Sequence, residues 1–162
     1  MSRGAPESST LWSMRAEELD SGPLVQQFDV IICLWNVLGH IRPAATRLMV
    51  LHQLRQRLNP GGRLMLDVHH RYNTRAYGRT TSFLRYLRDH IRPRESNGDV
   101  TAHWSVKGVE CSTDGHVFTD REIGILAASA DLKIEHCFAV DYETGALTRF
   151  RFQGNLFHVL KP

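Results

Sequence analysis

The stretch FDVIICLWNVLGHI, residues 28 to 41, begins as a run of apolar residues and changes character at Trp35-Asn36. Its first seven residues are almost all apolar, without the alternation expected of a strand that has one face in water. Continuous apolar strands are typical of parallel sheets that are covered on both faces. The sequence therefore predicts a central parallel strand over residues 28 to 34, followed at its carboxyl end by polar residues.

A helix and a second strand are predicted to follow. After Pro43, apolar residues recur at spacings of four, three, three and four, which forms one stripe of a helix; they are Ala44, Leu48, Leu51, Leu54 and Leu58. The segment NPGG, residues 59 to 62, is predicted to end this helix, and RLMLDV, residues 63 to 68, to form the next strand. Strand, helix and strand in this order make a right-handed crossover, so we expect the two strands to lie parallel in one sheet.

The middle of the chain has weaker periodicity. TTSFLRYLRDHI, residues 80 to 91, can form a helix whose apolar side chains face inward; they are Phe83, Leu84, Leu87 and Ile91. Residues 99 to 118 predict strands, with turns around Asn97-Gly98 and Asp114-Gly115.

The last third of the chain carries clearer signals. TDRE, residues 119 to 122, has the spacing of a capping box, in which the N-cap threonine and the glutamate three residues later bond each other's backbone N–H groups. The apolar stripe of the helix that should follow is Ile123, Leu126, Ala127 and Ala130. LKIEHCFAV and NLFHVL, residues 132 to 140 and 155 to 160, then predict an antiparallel strand pair that closes the sheet.

Length and composition favour one soluble domain. The chain has 162 residues, of which 42% are hydrophobic, which suits a single core. Residues 1 to 11 are mostly polar and predict a flexible start. No apolar stretch approaches the roughly 20 residues that span a bilayer, and MSRGAPESST lacks the apolar segment of a secretory signal. We therefore expect a cytoplasmic protein with no membrane partner.

Charge and cysteine content exclude two further classes of function. The net charge is +3, but the arginines are scattered beside acidic residues rather than gathered in one basic patch, so a nucleic-acid partner is not expected. The three cysteines are widely spaced and form no C-x-x-C pair, which predicts neither a disulfide framework nor a zinc knuckle. His69-His70 would need a third ligand that the sequence does not place, so we predict no metal site.

Three segments in order carry a resemblance to a known family: FDVIICLWNVLGHI, the helix that ends LRQRLNPGGRLMLDV, and FTDREIGILAASADLKIEHCF. Together they resemble the second half of a class I S-adenosylmethionine-dependent methyltransferase, in particular the branch that acts on small molecules. The resemblance implies an α/β, Rossmann-like, mostly parallel sheet with an antiparallel C-terminal strand pair. It covers residues 12 to 162, which we interpret as a partial methyltransferase domain, truncated at its N-terminus.

The resemblance also implies a cofactor, S-adenosylmethionine, and a reaction. The family transfers a methyl group to a nitrogen, oxygen or carbon nucleophile, here of a small-molecule substrate. Its members hold the cofactor with a glycine-rich loop after the first strand and an acidic residue at the end of the second. The chain contains no G-x-G run, and the segment before Phe28 is too short for those elements. We therefore expect the chain alone to bind S-adenosylmethionine weakly or not at all.

WSMRAEELD, residues 12 to 20, resembles the third-strand region of the family. An acidic residue often precedes an alanine there and contacts adenine. Arg15 stands in that acidic position, ahead of Ala16. Either Glu17 or Glu18 serves instead, or adenine recognition has been lost. The resemblance thus makes Ala16 and Glu17 candidates for cofactor binding.

The carboxyl ends of the two predicted parallel strands supply the other site candidates, because ligands of open α/β sheets bind there. Leu34, Trp35 and Asn36 are predicted to contact the cofactor, the indole by lying along a ring and the amide by hydrogen bonding. The alternative is that Trp35 packs against the sheet edge and Asn36 caps a turn. His40 is predicted to contact the substrate.

Beyond the second strand, DVHHRYN, residues 67 to 73, adds further substrate-binding candidates, namely His69, His70, Arg71 and Asn73. A histidine there can act as a base, or the segment can be a polar loop that bonds its own backbone. Asp141 and Tyr142 can rim the same pocket or simply join the last two strands.

A second hypothesis belongs to a different class of function. The chain can be a non-catalytic remnant or binding module that needs a partner chain to supply the first half of the sheet. Missing strands would leave a strand edge and an apolar face uncovered, so we expect a homo-oligomer or poor solubility.

Overall fold

The structure, a computed structural model, describes residue 11 and residues 13 to 20 and 26 to 162. The strands are β1 (Phe28–Cys33), β2 (Leu58–Val68), β3 (Asp99–Val106), β4 (Val109–His116), β5 (Lys133–Val140) and β6 (Asn155–Lys161). The α-helices are α1 (Val37–His40), α2 (Ala44–Gln56), α3 (Thr74–Tyr77), α4 (Arg79–Ile91) and α5 (Asp120–Ser129). Short 3₁₀ helices occupy Ala16–Glu18, Glu95–Gly98 and Arg151–Gln153. No helix among the described residues is long and apolar enough to cross a membrane. The predicted flexible start lies outside the described residues except for residue 11.

The main sheet has four strands in the order β1, β2, β6, β5. β1 and β2 are parallel, whereas β6 runs antiparallel to both of its neighbours, β2 and β5. The chain therefore forms the predicted crossover between the first two strands and the predicted antiparallel pair at its end. β6 lies between β2 and β5, so the last strand of the chain is an internal strand of the sheet.

The pairing of β1 with β2 begins earlier in the chain than the sequence predicted. Phe28 pairs with Leu58, and the next pairs run from Val30 with Arg63 to Cys33 with Leu66. Residues 59 to 62 therefore form an irregularity inside β2 instead of the end of a helix, and α2 already ends at Gln56. The two strands approach each other closely at this point, since a Cβ atom at Gly62 would lie 3.0 Å from the Phe28 carbonyl oxygen.

The core lies on the face of the sheet that α2 and α5 cover. Its fully buried side chains include Leu51 and Leu54 of α2, Leu64 and Leu66 of β2, Ile123 and Ala127 of α5, and Leu156 and Leu160 of β6. Burial of a leucine or isoleucine side chain contributes roughly 1.5–3 kcal/mol, so this cluster supplies most of the stabilisation of the fold. The apolar stripes predicted for α2 and α5 are confirmed except at Leu58, which lies in β2 and not in the helix.

The predicted capping box is also present at the start of α5. The Thr119 hydroxyl accepts a hydrogen bond from the Glu122 N–H at 3.2 Å, and the Glu122 carboxylate accepts one from the Thr119 N–H at 2.7 Å. These bonds satisfy backbone donors that the first turn of a helix otherwise leaves free.

β1 differs from its prediction in one respect. Ile31 and Cys33 pack against the core, but the alternate side chains Val30 and Ile32 are 48% and 60% exposed. Coverage on both faces is therefore wrong for the described residues, since β1 is an edge strand and neither a further strand nor a helix shields that face.

The apolar side of α4 also faces outward, contrary to prediction: Phe83, Leu84, Leu87 and Ile91 are exposed. The polar side docks instead, because Asp89 accepts hydrogen bonds from the Arg71 guanidinium at 2.9 Å and the Tyr72 hydroxyl at 2.6 Å. A buried guanidinium needs a carboxylate partner, and α4 provides one at the cost of exposing its apolar stripe.

β3 and β4 form a separate two-stranded hairpin. Its turn is at Lys107-Gly108, where both residues have positive φ, as a two-residue hairpin loop requires. The predicted turn at Asp114-Gly115 is wrong, because both residues lie within β4. Asn97-Gly98 does lie in a turn, within a 3₁₀ helix.

Candidate functional site

The parallel pairing of β1 and β2 brings the two predicted groups of site residues together at one edge of the sheet. The backbone N–H of His69 donates to the Asn36 side-chain oxygen at 3.0 Å, although the two residues are 33 positions apart in the sequence. The Trp35 and His69 rings both contact the Tyr142 ring, with centroids 5.8 Å apart in each case. We call this cluster of Trp35, Asn36, His40, His69 and Tyr142 the rim.

Trp35 presents the most exposed large side chain of the rim, at 77%. Its backbone is left-handed, with φ of 64°, and Asn36 follows with φ of 54°. A left-handed conformation costs a residue with a Cβ atom roughly 1 kcal/mol or more, and asparagine tolerates it better than a bulky residue does. An exposed indole held in a strained backbone is therefore unusual, and such strain is concentrated at functional sites.

Asn36 lies inside the rim and is only 3% exposed. Its side-chain oxygen accepts from the His69 N–H, and its side-chain nitrogen donates to the His116 carbonyl at 3.2 Å. The side-chain oxygen and nitrogen both bond protein partners, so the amide joins the ends of β1, β2 and β4. Its predicted role in cofactor binding stays a prediction, and these contacts favour a positioning role.

Asp67 is a buried residue of the site that the sequence analysis missed. Its carboxylate accepts from the Asn36 N–H at 3.3 Å, and it thereby helps hold the left-handed turn. Burial raises the pKa of the Asp67 carboxyl, and the hydrogen bonds from the Asn36 and Trp35 backbones partly offset this effect. A carboxylate near the end of the apolar strand RLMLDV was the available signal.

His69 and His40 are the two histidines of the rim. Burial lowers the pKa of the His69 imidazole, and the neighbouring His40 imidazole lowers it further. His69 is therefore neutral at neutral pH and can accept a proton. His40 is exposed at the end of the four-residue helix α1.

Arg71 is not on the rim. It is 2% exposed and bonds Asp89 of α4, Glu122 of α5 and the Val117 carbonyl. The guanidinium thus joins α4, α5 and the end of β4. The Arg71 side chain therefore does not join His69 at the rim, because two carboxylates hold it in the interior, and substrate binding by Arg71 stays a prediction.

His70 and Asn73 are also engaged within the protein. The His70 Nδ1 lies 3.0 Å from the Arg151 carbonyl oxygen. The backbone N–H of His70 donates to the Asn155 side-chain oxygen at 3.3 Å. Asn73 caps α3, accepting from the Arg75 N–H at 3.0 Å. Both residues are buried, so substrate binding by either stays a prediction.

The N-terminal candidates lie elsewhere. Ala16 and Glu17 belong to a 3₁₀ helix that packs beside α2, and the Ala16 side chain contacts the core. Leu34 is half-buried at the end of β1, next to Trp35. Leu34 therefore lies at the rim, whereas Ala16 and Glu17 remain candidates on the strength of the resemblance alone.

A cleft of about 1020 Å³ lies beside α4 and α5. Its lining combines aromatic rings, among them Phe83, Tyr86 and Phe152, with charged groups, among them Asp120 and Arg151. Trp35, Asn36, His40 and His69 do not line it. The sequence analysis did not predict this cleft, whose lining comes from segments far apart in the chain.

Comparison with solved structures identifies the fold. The chain aligns with a methyltransferase, CcbJ of Streptomyces caelestis, over 86% of its own length and 59% of that chain, with a TM-score of 0.58 and 13% identity. It aligns with a methyltransferase of Methanosarcina mazei over 91% of its length and 63% of that chain, with a TM-score of 0.58 and 19% identity. The chain has the fold of class I S-adenosylmethionine-dependent methyltransferases.

The methyltransferase fold is present only in part. The chain spans about three fifths of the length of these structures. It also aligns with the glycopeptide N-methyltransferase MtfA complexed with S-adenosylmethionine, covering 58% of that chain with a TM-score of 0.55 and 12% identity. No protein-family model and no curated relative matches the sequence.

Replacement of Asn36 by alanine is expected to destabilise the protein. It leaves the buried His69 N–H and His116 carbonyl without their partner, and each buried unsatisfied group costs about 1–3 kcal/mol. Urea denaturation should show that the free energy of unfolding falls by at least about 2 kcal/mol. Asn59→Ala, which removes an exposed hydrogen bond of 2.8 Å to Asp29, is the matched control, with an expected change within about 0.5 kcal/mol. Equal effects would contradict the bridging role of Asn36.

The Arg71 cluster predicts a loss of stability in acid. Burial disfavours the charged Glu122 carboxylate, but His116, whose Nε2 lies 3.9 Å away, and the Arg71 guanidinium outweigh this effect and lower the pKa of Glu122 to about 2. A carboxyl whose pKa is lower in the folded state stabilises the protein above its ordinary pKa of about 4.5, and the stabilisation is lost as pH falls toward 2.

The free energy of unfolding should therefore fall by about 2–3 kcal/mol more in the wild type than in Glu122→Gln between pH 5 and pH 2.5. Denaturant titrations across this pH range measure the difference. Glu110→Gln, on the exposed hairpin, is the control and should keep the wild-type slope. A wild-type slope in Glu122→Gln would show that the carboxylate is not stabilised by its cluster.

Proposed function

We propose that the protein takes part in S-adenosylmethionine-dependent methyl transfer to a nitrogen, oxygen or carbon nucleophile of a small molecule. The observation that carries this proposal is the position of the rim. Trp35 and His69 lie at the carboxyl ends of two parallel strands in a methyltransferase fold, which is where ligands of open α/β sheets bind. The strained backbone of Trp35 supports the proposal, because core packing does not require it.

The rim suits one side of the cofactor. S-adenosylmethionine, when bound, supplies an electrophilic methyl group. The exposed Trp35 ring offers an aromatic face to adenine, and Leu34 adds apolar surface beside it. Asn36 holds the turn that presents the indole, with Asp67 as its partner. The glycine-rich loop and the ribose carboxylate have no counterpart in the sequence, so we propose that the chain alone binds the cofactor weakly.

The histidines suit the acceptor side. A nitrogen or oxygen acceptor that carries a proton loses it when it is methylated, and the neutral His69 imidazole can accept that proton. His40, exposed beside it, can hydrogen-bond the acceptor. Alignment of donor and acceptor supplies most of the acceleration in a direct displacement, so the chief contribution of these residues is to orient the substrate.

Tryptophan fluorescence tests the proposal with S-adenosylhomocysteine as a non-reactive probe. In a Trp12→Phe/Trp104→Phe variant, whose remaining tryptophan is Trp35, we expect millimolar S-adenosylhomocysteine to change the emission; in the single variant Trp35→Phe the change should be lost. Trp104 lies on the hairpin, 43% exposed, and serves as the control. Tight, micromolar binding would contradict the weak-binding proposal, and a response that survives Trp35→Phe would contradict the role of the rim.

Trp35→Gly separates binding from packing. Glycine adopts the left-handed conformation without steric cost. We therefore expect the free energy of unfolding of this variant to equal that of the wild type or to exceed it by up to about 1 kcal/mol, while the variant loses the ligand response. Thermal denaturation measures the first effect. A large loss of stability would show that the indole is a packing residue, as the alternative interpretation holds.

A second candidate function is a binding module that pairs with another chain, and the exposed edge of β1 favours it. Among the described residues, β1 pairs only with β2, and Val30 and Ile32 expose an apolar face. Unpaired edges of this kind promote association. In this second proposal a homo-oligomer, or a partner that carries the missing strands, covers β1.

Ile32→Lys tests association through this face. We expect multi-angle light scattering to show an oligomer for the wild type and a shift toward monomer for Ile32→Lys, because a charge cannot be buried in the apolar contact. Ile125→Lys, at a similarly exposed isoleucine of α5, is the control. A monomeric wild type at high concentration would count against this candidate.

A further inference from the structure

Three side chains with metal-binding atoms meet on the face of the sheet that α5 covers: Asp120, Cys137 and His158. One ligand atom of each lies within 4.8 Å of the other two. Cys137 and His158 are direct partners in the pairing of β5 with β6, so their side chains leave the same face of the sheet. Asp120, the first residue of α5, completes the group.

The His158 imidazole is buried without a full set of partners in the part of the chain that the structure describes. The residue is 1% exposed, and no described residue hydrogen-bonds its Nδ1. An unsatisfied buried nitrogen costs about 1–3 kcal/mol, so such atoms in folded proteins call for an explanation. Bonds within the cluster do not provide one, because the Cys137 thiol bonds Asp120, with 3.6 Å between Sγ and Oδ1.

We propose that Asp120, Cys137 and His158 bind a divalent transition-metal cation of the zinc type. Sulfur, imidazole nitrogen and carboxylate oxygen together are the donors that Zn²⁺ accepts, whereas Mg²⁺ and Ca²⁺ prefer oxygen alone. Bond lengths of about 2.0–2.3 Å in a tetrahedral site place ligand atoms roughly 3.3–3.8 Å apart. The Sγ to Oδ1 distance already meets this spacing, and small side-chain rotations bring the remaining pairs to it.

Arg151 is the competitor for this site. Its guanidinium bonds the Asp120 carboxylate at 2.9 Å, but its side chain is 56% exposed and free to turn into solvent. The cation replaces Arg151 at Asp120 and displaces the Cys137 thiol proton to solvent. Because Asp120 also lines the cleft beside α5, the cation has a route of entry, and three protein ligands leave one tetrahedral position for water.

This proposal is independent of methyl transfer, since none of the three ligands belongs to the rim. The cation would join β5, β6 and the start of α5, so its binding also stabilises the folded state. Sequence analysis predicts no metal site because the three ligands are separated by 17 and 21 residues and come together only through strand pairing.

Cobalt titration of the reduced, chelator-treated chain tests the site. We expect one equivalent of Co²⁺ to produce a thiolate-to-cobalt charge-transfer band in the near ultraviolet and visible bands of tetrahedral intensity, and Zn²⁺ to displace it. Mg²⁺ should have no effect. Zn²⁺ should raise the melting temperature. Absence of the charge-transfer band at one equivalent would overturn the proposal, and this measurement needs no variant.

Variants then locate the site. Cys137→Ser, which is nearly isosteric, should abolish the band and lower the affinity for Zn²⁺ at least about tenfold. Cys111→Ser on the hairpin should change neither the band nor the affinity. Arg151→Gln should tighten Zn²⁺ about two- to fivefold, because it removes an exposed competing ion pair. Circular dichroism of each metal-free variant checks its fold. A band that survives Cys137→Ser, or one that Cys111→Ser removes, would overturn the assignment.

Discussion

The side-chain amide of Asn36 is the interaction on which the arrangement of this protein's site depends. It accepts from the His69 N–H and donates to the His116 carbonyl, so the carboxyl ends of β1, β2 and β4 meet at one buried group. Because the amide is buried, loss of either bond exposes a partner to an apolar surrounding that cannot replace it. The geometry of the rim therefore depends on the hydrogen bonds of this amide, which fix the segments that carry Trp35 and His69.

The Arg71 guanidinium plays the corresponding part in the other half of the chain. One buried cation holds Asp89 of α4 and Glu122 of α5, and the carboxylates in turn remove the penalty of burying the charge. The consequence reaches the surface, because α4 binds through its polar side and exposes its apolar one. The residues of this ion-pair cluster also line the cleft beside α5.

The proposed functions lie at three separate places. The rim has an exposed ring, a neutral imidazole and a strained turn, which suit the binding and orientation of small molecules. The cluster at Cys137 and His158 lies on the paired strands β5 and β6 and suits a cation. The edge of β1 with its exposed Ile32 is the third, and the second proposal assigns association with another chain to it.

Local pattern by itself determined the strands, the stripes of α2 and α5, the capping box at Thr119 and the parallel crossover, since these depend on periodicity and on neighbours close in sequence. It also placed Trp35 and His69 at one edge, because parallel strands end together. Only the tertiary structure decided that Arg71 is buried, that α4 faces outward and that His158 meets Cys137. Those outcomes depend on charges and strand partners far apart in the chain, and no local pattern records which partner a buried charge or donor finds.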